Sequence, residues 1–187
     1  MKRSGVKERI IETASRLFYN EGYNQTGINQ IIEEANVAKA SMYQHFRSKE
    51  DIAVAYLERR HQIWMNNLFD FVSGQTDYKN KVLSSFEYLN SWLTEVGFRG
   101  CGFQNIITDL PKDHTKIKAQ TLYHKNVLRK WIQDLVKEDK QYSENEAEEL
   151  GDEIMVLLEG AIMLSQIQKA AWPILKAKNV CQKLLNK

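Results

Sequence analysis

The segment from Thr26 to Phe46 is the feature that most constrains the fold, because its pattern predicts two short helices joined by a sharp turn. One face of the first helix carries three branched side chains at positions i, i+3 and i+4, namely Ile28, Ile31 and Ile32. Thr26 precedes this helix as an N-cap. Asn36 follows it and tolerates the left-handed backbone that a tight corner needs. A helix, a corner and a second helix are therefore expected within these residues.

The second helix of this segment, predicted at residues 38–44, has an unusually polar surface. Its side chains are small or polar where a buried helix would carry Leu or Ile: Lys39, Ala40, Ser41, Tyr43 and Gln44. This arrangement is typical of a helix-turn-helix, in which the second helix enters the major groove of DNA. An ordinary solvated helix face is the alternative interpretation.

The same segment resembles the TetR family of bacterial repressors in its detailed string of residues. The positions that carry the resemblance are Thr26, Ile31, Ala35, Val37, Tyr43, His45, Phe46 and Lys49. Mild departures from the family pattern are found at Ile32, Asn36, Ala38, Ala40 and Ile52. Ala38 matters somewhat, because it removes a hydroxyl that could cap the second helix or contact a phosphate.

The resemblance implies a role for each polar residue of the segment. Four residues are expected to approach the edges of the bases: Lys39, Ala40, Ser41 and Gln44. Four others are expected to hold the phosphate backbone: Thr26, Tyr43, His45 and Lys49. Further basic residues could share the same face: Lys2, Arg3, Lys7 and Arg47.

A second resemblance lies far from the first. Residues 99–105, Arg-Gly-Cys-Gly-Phe-Gln-Asn, resemble the R-G-C-x-x-x-N element found between the fifth and sixth helices in one branch of TetR-type regulators. Two resemblances in separate parts of the chain support the same family assignment.

Composition is typical of a helix-rich fold with a substantial core, since the 187 residues are 43% hydrophobic and include only nine Gly and two Pro. The formal net charge of +2 does not by itself reveal a DNA-binding protein.

No window approaches the roughly 18 apolar residues of a membrane span, and residues 1–11 are too polar for a signal peptide. A cytoplasmic protein without a membrane partner is expected. Two Cys are too few for a disulfide framework.

Helical periodicity and capping signals predict an all-α fold of about nine helices. Ser48 and Ser143 begin capping boxes for the fourth and eighth helices, and Pro173 opens the ninth. The fourth helix is expected to be long and to end near Val72. The first, fifth and seventh helices are predicted at residues 4–20, 78–96 and 115–138. The sixth helix is short and is predicted at residues 104–110.

Aromatic and polar side chains in the later helices predict a ligand pocket. The residues expected to line it are Trp64, Phe86, Trp92, Cys101, Phe103, Asn105, Tyr123, His124 and Met155. A packed core has little use for Asn or His without partners, so these residues together favour a cavity. For any one of them, an ordinary core position is the alternative interpretation.

The last two helices carry more apolar surface than one chain can cover. The seam expected to pack against a second copy comprises Leu150, Ile154, Leu157, Gly160, Ala161, Leu164, Ile174, Cys181 and Leu184. Gly160 costs about 1 kcal/mol relative to Ala in a helix interior, which is explained if a neighbouring backbone comes close there. A four-helix bundle built from two subunits is expected, as the TetR resemblance also implies.

Signatures of enzymes are missing from the sequence. It has no Gly-x-Ser-x-Gly elbow, phosphate loop or His-Glu-x-x-His motif, and its four His and two Cys lack metal-ligand spacing. No enzymatic activity, cofactor or metal is therefore expected.

The expected protein is a homodimeric repressor of TetR type. A three-helix helix-turn-helix head at residues 1–47 would bind a palindromic double-stranded DNA operator, and residues 48–187 would form a helical ligand-binding and dimerisation domain. A small hydrophobic or aromatic effector would release it from the operator. Two alternatives stay open: a helical small-ligand carrier without specific DNA binding, and a thiol-based redox-sensing regulator that uses Cys101.

Overall fold

The computed structural model describes residues 5–108, 110–111 and 113–186, and within these ranges the regular secondary structure is entirely helical. The nine helices of the described residues are α1 (Val6–Asn20), α2 (Ile28–Glu34), α3 (Lys39–His45), α4 (Lys49–Val72), α5 (Tyr78–Glu95), α6 (Gly102–Ile107), α7 (Thr115–Val136), α8 (Glu144–Gln168) and α9 (Trp172–Leu184). The predicted all-α fold is thereby confirmed. The predicted bounds hold to within two residues except at α6, which ends three residues earlier than expected.

The capping signals were correct at two helices and wrong at a third. Ser143 and Glu146 form the complete capping box predicted for α8, and the Ser48 hydroxyl accepts a hydrogen bond from the Asp51 backbone N–H at 3.1 Å. Thr26, in contrast, does not cap α2, because Gly27 occupies the N-cap position. The predicted corner after α2 is confirmed, since Asn36 adopts a φ of 50°.

Contacts divide the chain into two compact units. Unit 1 contains residues 5–62 and 102–123, and unit 2 contains residues 63–101 and 124–186. Unit 1 thus continues beyond residue 47, where the head was predicted to end. The first half of α4 explains this, because Tyr56 is buried against Phe18 of α1, with ring centroids 5.9 Å apart.

The core of unit 1 is built where α1, α2, α3 and the first half of α4 meet. Its largest fully buried side chains include Ile10, Leu17, Ile31, Met42, Ile52, Tyr56 and Leu57. The isoleucine face predicted for α2 supplies only one of these residues, Ile31, because Ile28 and Ile32 are half-buried.

Unit 2 is a layered arrangement in which α9 packs on both α5 and α8. Gly151 allows α8 to approach α7 closely, since a Cβ at that position would lie 2.6 Å from Gln133 Cγ and 3.0 Å from its Cα. Gly160, where a close approach was predicted, has no neighbouring atom within 4 Å of a Cβ. The close approach inside the chain therefore occurs at the other glycine of the same helix.

None of the helices within the described ranges combines the length and the hydrophobicity that crossing a bilayer requires.

Candidate nucleic-acid interface and ligand site

Helix α3 packs on the rest of unit 1 through a single buried side chain. Met42 is fully buried, while the remaining six residues of the helix are exposed or half-buried. The residues predicted to meet DNA on this helix all lie on the outer surface: Lys39, Ala40, Tyr43, Gln44 and His45 are exposed, and Ser41 is half-buried. Tyr43 keeps 45% of its surface accessible. The helix thus presents polar and cationic groups outward, as the sequence predicts.

Side chains of α1 hold the two shorter helices in place. The guanidinium of Arg9 donates a hydrogen bond to the carbonyl of Asn36 at 3.2 Å, which ties α1 to the corner between α2 and α3. Arg16 forms an ion pair with Glu34 at the end of α2. The hydrogen bond from Arg16 lowers the pKa of Glu34 below its usual value. This pairing occupies one of the acidic side chains nearest to α3.

Two residues predicted to hold phosphates face inward instead. Thr26 is fully buried, and its hydroxyl donates to the carbonyl of Gly22 at 2.8 Å. The ammonium of Lys49 donates to the carbonyls of Tyr23 and Thr26 at 2.9 Å and 3.1 Å, and it lies 4.2 Å from the centroid of the Tyr23 ring. Both residues therefore fix the loop before α2, and these internal hydrogen bonds argue against the phosphate contacts predicted for them, which stay a prediction.

The nine residues predicted to line a pocket are divided between the two units. Unit 2 contains Trp64, Phe86, Trp92, Cys101, His124 and Met155, whereas unit 1 contains Phe103, Asn105 and Tyr123. Phe86 and Phe103 are fully buried core residues, with relative exposures of 0% and 1%. The alternative interpretation, an ordinary core position, therefore applies to these two phenylalanines.

Trp64 is the centre of an aromatic cluster in unit 2. Its ring stands edge-on to those of Tyr88, Trp92 and His124, at centroid distances of 5.4 Å, 6.0 Å and 5.5 Å. A small cavity beside Trp64 has a volume of about 10 Å³, which is the room needed for one water molecule. Side chains thus fill this part of the predicted pocket.

Tyr123 lies instead on the wall of an open cleft in unit 1. The cleft measures about 440 Å³ and is lined by Glu58, His61, Gln62, Gln120 and Tyr123. The rings of His61 and Tyr123 lie 5.0 Å apart. Burial lowers the pKa of His61 from its usual value, which favours the neutral imidazole. His61 is a candidate ligand residue that the sequence pattern did not reveal.

Most of the predicted dimer seam is buried inside unit 2. Five of its nine residues lie in the core, namely Leu150, Ile154, Ala161, Ile174 and Cys181. Leu157 and Leu184 are half-buried, and only Gly160 and Leu164 are exposed. These five residues therefore lie on the inward face of α8 and α9, and the prediction that they meet a second copy is corrected. Gly160 and Leu164 remain accessible to a second copy.

A different apolar face of α8 and α9 is open to solvent. On α8 it contains Val156, Leu164 and Ile167, with relative exposures of 71%, 45% and 65%. On α9 it contains Trp172, Leu175 and Val180, at 49%, 51% and 43%. We call these six residues, together with Gly160, the α8–α9 outer face. Six large apolar side chains exposed on two helices that pack together are typical of an interaction site.

The helix-turn-helix region matches the family model described as bacterial regulatory proteins, tetR family, over residues 10–56. The matched residues include all of α2 and α3.

The chain belongs to the tetR family of bacterial regulatory proteins.

Two relatives from Bacillus subtilis extend this match along the whole TetR-family chain. The HTH-type transcriptional regulator YxaF is 29% identical over 92% of this chain and 91% of its own length. The HTH-type transcriptional regulator LmrA is 27% identical over the full length of both chains. Both relatives are regulators of transcription by name, and this TetR-family protein is a helix-turn-helix transcriptional regulator like them.

Solved structures confirm the fold. A TetR transcriptional regulator from Legionella pneumophila superposes with a TM-score of 0.80, at 23% identity, over 98% of both chains. The nine-helix arrangement of this TetR-family protein is thus shared with a known structure.

One group of polar residues was not predicted from the sequence. Lys125 of α7 contacts both Cys101 and Glu159 of α8 in unit 2, and no pattern in the sequence around Cys101 indicated this contact. Spacings of 24 and 34 residues hide such a contact from any local pattern. Across the residues that the structure describes, no group of three or more His, Cys, Asp and Glu side chains is arranged to hold a metal ion.

Proposed function

We propose that this TetR-family regulator is a homodimeric repressor, which binds a palindromic operator through α3 and leaves it when a small molecule binds. The observation that carries the proposal is the construction of α3, where one buried residue, Met42, anchors a helix whose other side chains are accessible. A helix held in this way can enter the major groove without losing its packing on the head.

The reading face of α3 is assigned to four residues. Lys39, Ala40, Ser41 and Gln44 are proposed to approach base edges, because they occupy the exposed turns of the helix. Tyr43 and His45 are proposed to contact phosphates. Arg47, which is exposed immediately after α3, replaces Lys49 as the proposed cationic contact to the DNA backbone.

The α8–α9 outer face is proposed as the contact between two subunits. Val156, Gly160 and Ile167 follow each other at spacings of four and seven residues, which places them on one side of α8. Gly160 has open space around it within its own chain, so a second copy of the helix can come close there. Two such pairs of helices make a four-helix bundle, and two α3 helices about 34 to 36 Å apart would fit successive major grooves.

The effector is proposed to be a small molecule with an aromatic part. Its candidate site is the open cleft in unit 1, whose volume of about 440 Å³ lies in the range of small-molecule sites. An effector releases the operator only to the extent that it binds one conformation more tightly than the other. Helices α4 and α7 each contribute residues to both units, which makes them the candidates for carrying such a change.

Specific DNA binding is tested by fluorescence anisotropy with the DNA that flanks the protein's own gene, against a scrambled duplex. We expect tighter binding to the flanking DNA and an affinity that falls steeply with salt. If each of two subunits places Arg47 on one phosphate, the slope of log K against log salt is about −1.8 or steeper, at about −0.9 per phosphate.

Variants of α3 separate the two kinds of contact. Lys39→Ala or Ser41→Ala should reduce the preference for the specific duplex, whereas Tyr43→Phe should weaken binding to both duplexes alike. Equal losses from all three variants would contradict the assigned reading face. Equal and salt-independent binding of both duplexes by the unmodified protein would favour the small-ligand carrier and refute the repressor.

A further inference from the structure

Three ionisable side chains from distant parts of the sequence meet inside unit 2. The ammonium of Lys125 lies 3.7 Å from the sulfur of Cys101 and donates a hydrogen bond to a carboxylate oxygen of Glu159 at 2.7 Å. The side chains of Lys125 and Glu159 are only 19% and 23% exposed, and Cys101 is 6% exposed. A lysine so far removed from water needs anionic partners, and the cluster supplies two groups that can carry negative charge.

The backbone holds Cys101 firmly in this cluster. Gly100 has a φ of +88°, a left-handed conformation that glycine adopts without strain and other residues rarely adopt. This turn directly precedes Cys101, whose sulfur lies 3.7 Å from the ammonium of Lys125.

The lysine of the cluster keeps its charge. Burial acts to lower the pKa of Lys125, but the neighbouring Cys101 sulfur and Glu159 carboxylate outweigh burial and hold the pKa above its ordinary value. A permanent ammonium beside a sulfur matters chemically, because the thiolate is the nucleophilic form of cysteine and a nearby cation favours it.

We propose that Cys101 is a modification site for hydrogen peroxide, with Lys125 as the positioning residue that makes its sulfur reactive. The sulfur attacks one oxygen of the peroxide, so that an S–O bond forms and the O–O bond breaks. Cysteine is oxidised by two electrons to a sulfenic acid, and the peroxide is reduced. The second oxygen leaves as hydroxide and takes up the thiol proton, which yields water. Peroxide is close to water in size and so suits a sulfur of low exposure.

The second cysteine provides a control within the same chain. Cys181 is fully buried, and burial raises the pKa of its thiol to about 12. A thiol in such surroundings is inert toward oxidants. The two cysteines therefore differ in the feature that the proposal invokes, a cation beside the sulfur.

The test treats the full-length protein with hydrogen peroxide in the presence of dimedone, which traps sulfenic acids, and follows both cysteine peptides by mass spectrometry. We expect labelling of Cys101 to be at least about tenfold faster than labelling of Cys181. Lys125→Met should slow the labelling of Cys101 by about tenfold or more, and Lys125→Arg should retain most of the rate because it keeps the positive charge.

The experiment distinguishes activation from a general loosening of the fold. Lys125→Met removes the ammonium that pairs with Glu159, so the double variant Lys125→Met/Glu159→Gln removes both charges of the pair and should be as slow as the single variant. The labelling of Cys181 reports unfolding in every sample. Equal rates at the two cysteines of the unmodified protein, or an unchanged Cys101 rate in the folded double variant, would overturn the proposal. DNA binding does not enter this readout, so the result is independent of the proposed repressor function.

Discussion

Replacing Lys49 by methionine should destabilise the DNA-binding head without changing how the protein contacts DNA. The ammonium of Lys49 donates two hydrogen bonds, to the carbonyls of Tyr23 and Thr26. A hydrogen bond to a charged group contributes about 1.5–3 kcal/mol. Because Lys49 is only half-buried, the lower end of this range applies. The two bonds together predict a loss of about 3 kcal/mol in the free energy of unfolding.

The matched control is Arg47→Met, two residues earlier in the chain. Arg47 is exposed, so its replacement should change the free energy of unfolding by about 0.5 kcal/mol or less. If Arg47 contacts one phosphate in each subunit, however, its loss should flatten the salt slope of a dimer by about 1.8. Lys49→Met should leave the slope as it is.

Two measurements decide the matter: urea unfolding followed by circular dichroism, and a salt series of DNA-binding anisotropy under conditions where each variant is folded. The inward placement of Lys49 predicts a lower unfolding midpoint with an unchanged slope. The opposite pair of results, an unchanged midpoint with a flatter slope for Lys49→Met, would refute the reasoning and return Lys49 to the phosphate contacts.

Three further predictions concern the remainder of the chain. Val156→Glu should convert a dimer to a monomer in light scattering, because it places a charge on the α8–α9 outer face, whereas Leu122→Glu at another exposed site, on α7, should not. Gly151→Ala should lower the thermal midpoint by the equivalent of about 1–3 kcal/mol through overpacking, whereas Gly160→Ala, which meets no atom of its own chain, should leave the monomer intact and weaken the dimer. Burial raises the pKa of Cys181 from 9.0 to about 12, so its contribution to stability is complete below pH 9 and is lost as the pH rises toward 12. Urea midpoints of Cys181→Ala should consequently fall less steeply over that interval than those of the unmodified protein.

Local sequence patterns were sufficient to predict the helices and the helix-turn-helix motif. The isoleucine spacing, the polar composition of residues 38–44 and Asn36 predicted α2, the corner and α3, because these features depend on the residues next to one another. The capping box at Ser143 was readable for the same reason. The exposure of Lys39, Tyr43 and Gln44 also followed from α3 itself, since a short helix with one large apolar residue can bury only that residue.

The sequence did not show whether a given polar or apolar side chain faces the interior of the protein or the solvent. Thr26 and Lys49 match family positions, yet their hydrogen bonds to the carbonyls of Gly22 and Tyr23 form only after the loop before α2 has closed. Helix α8 is apolar on two sides, and the sequence does not distinguish the side that packs on α5 and α9 from the side that is left open. Five of the nine residues of the predicted seam lie on the packed side for this reason.

The sequence by itself thus determined which segments are helical, where the helix-turn-helix lies and which family the chain resembles, because periodicity, caps and turns are short-range properties. Only the tertiary structure decided which of the charged and apolar side chains face inward. Helix packing places Lys125 in contact with Cys101 and Glu159, and it leaves the α8–α9 outer face exposed to solvent. Contacts of this kind depend on how helices distant in the sequence pack together, and no local spacing records that packing.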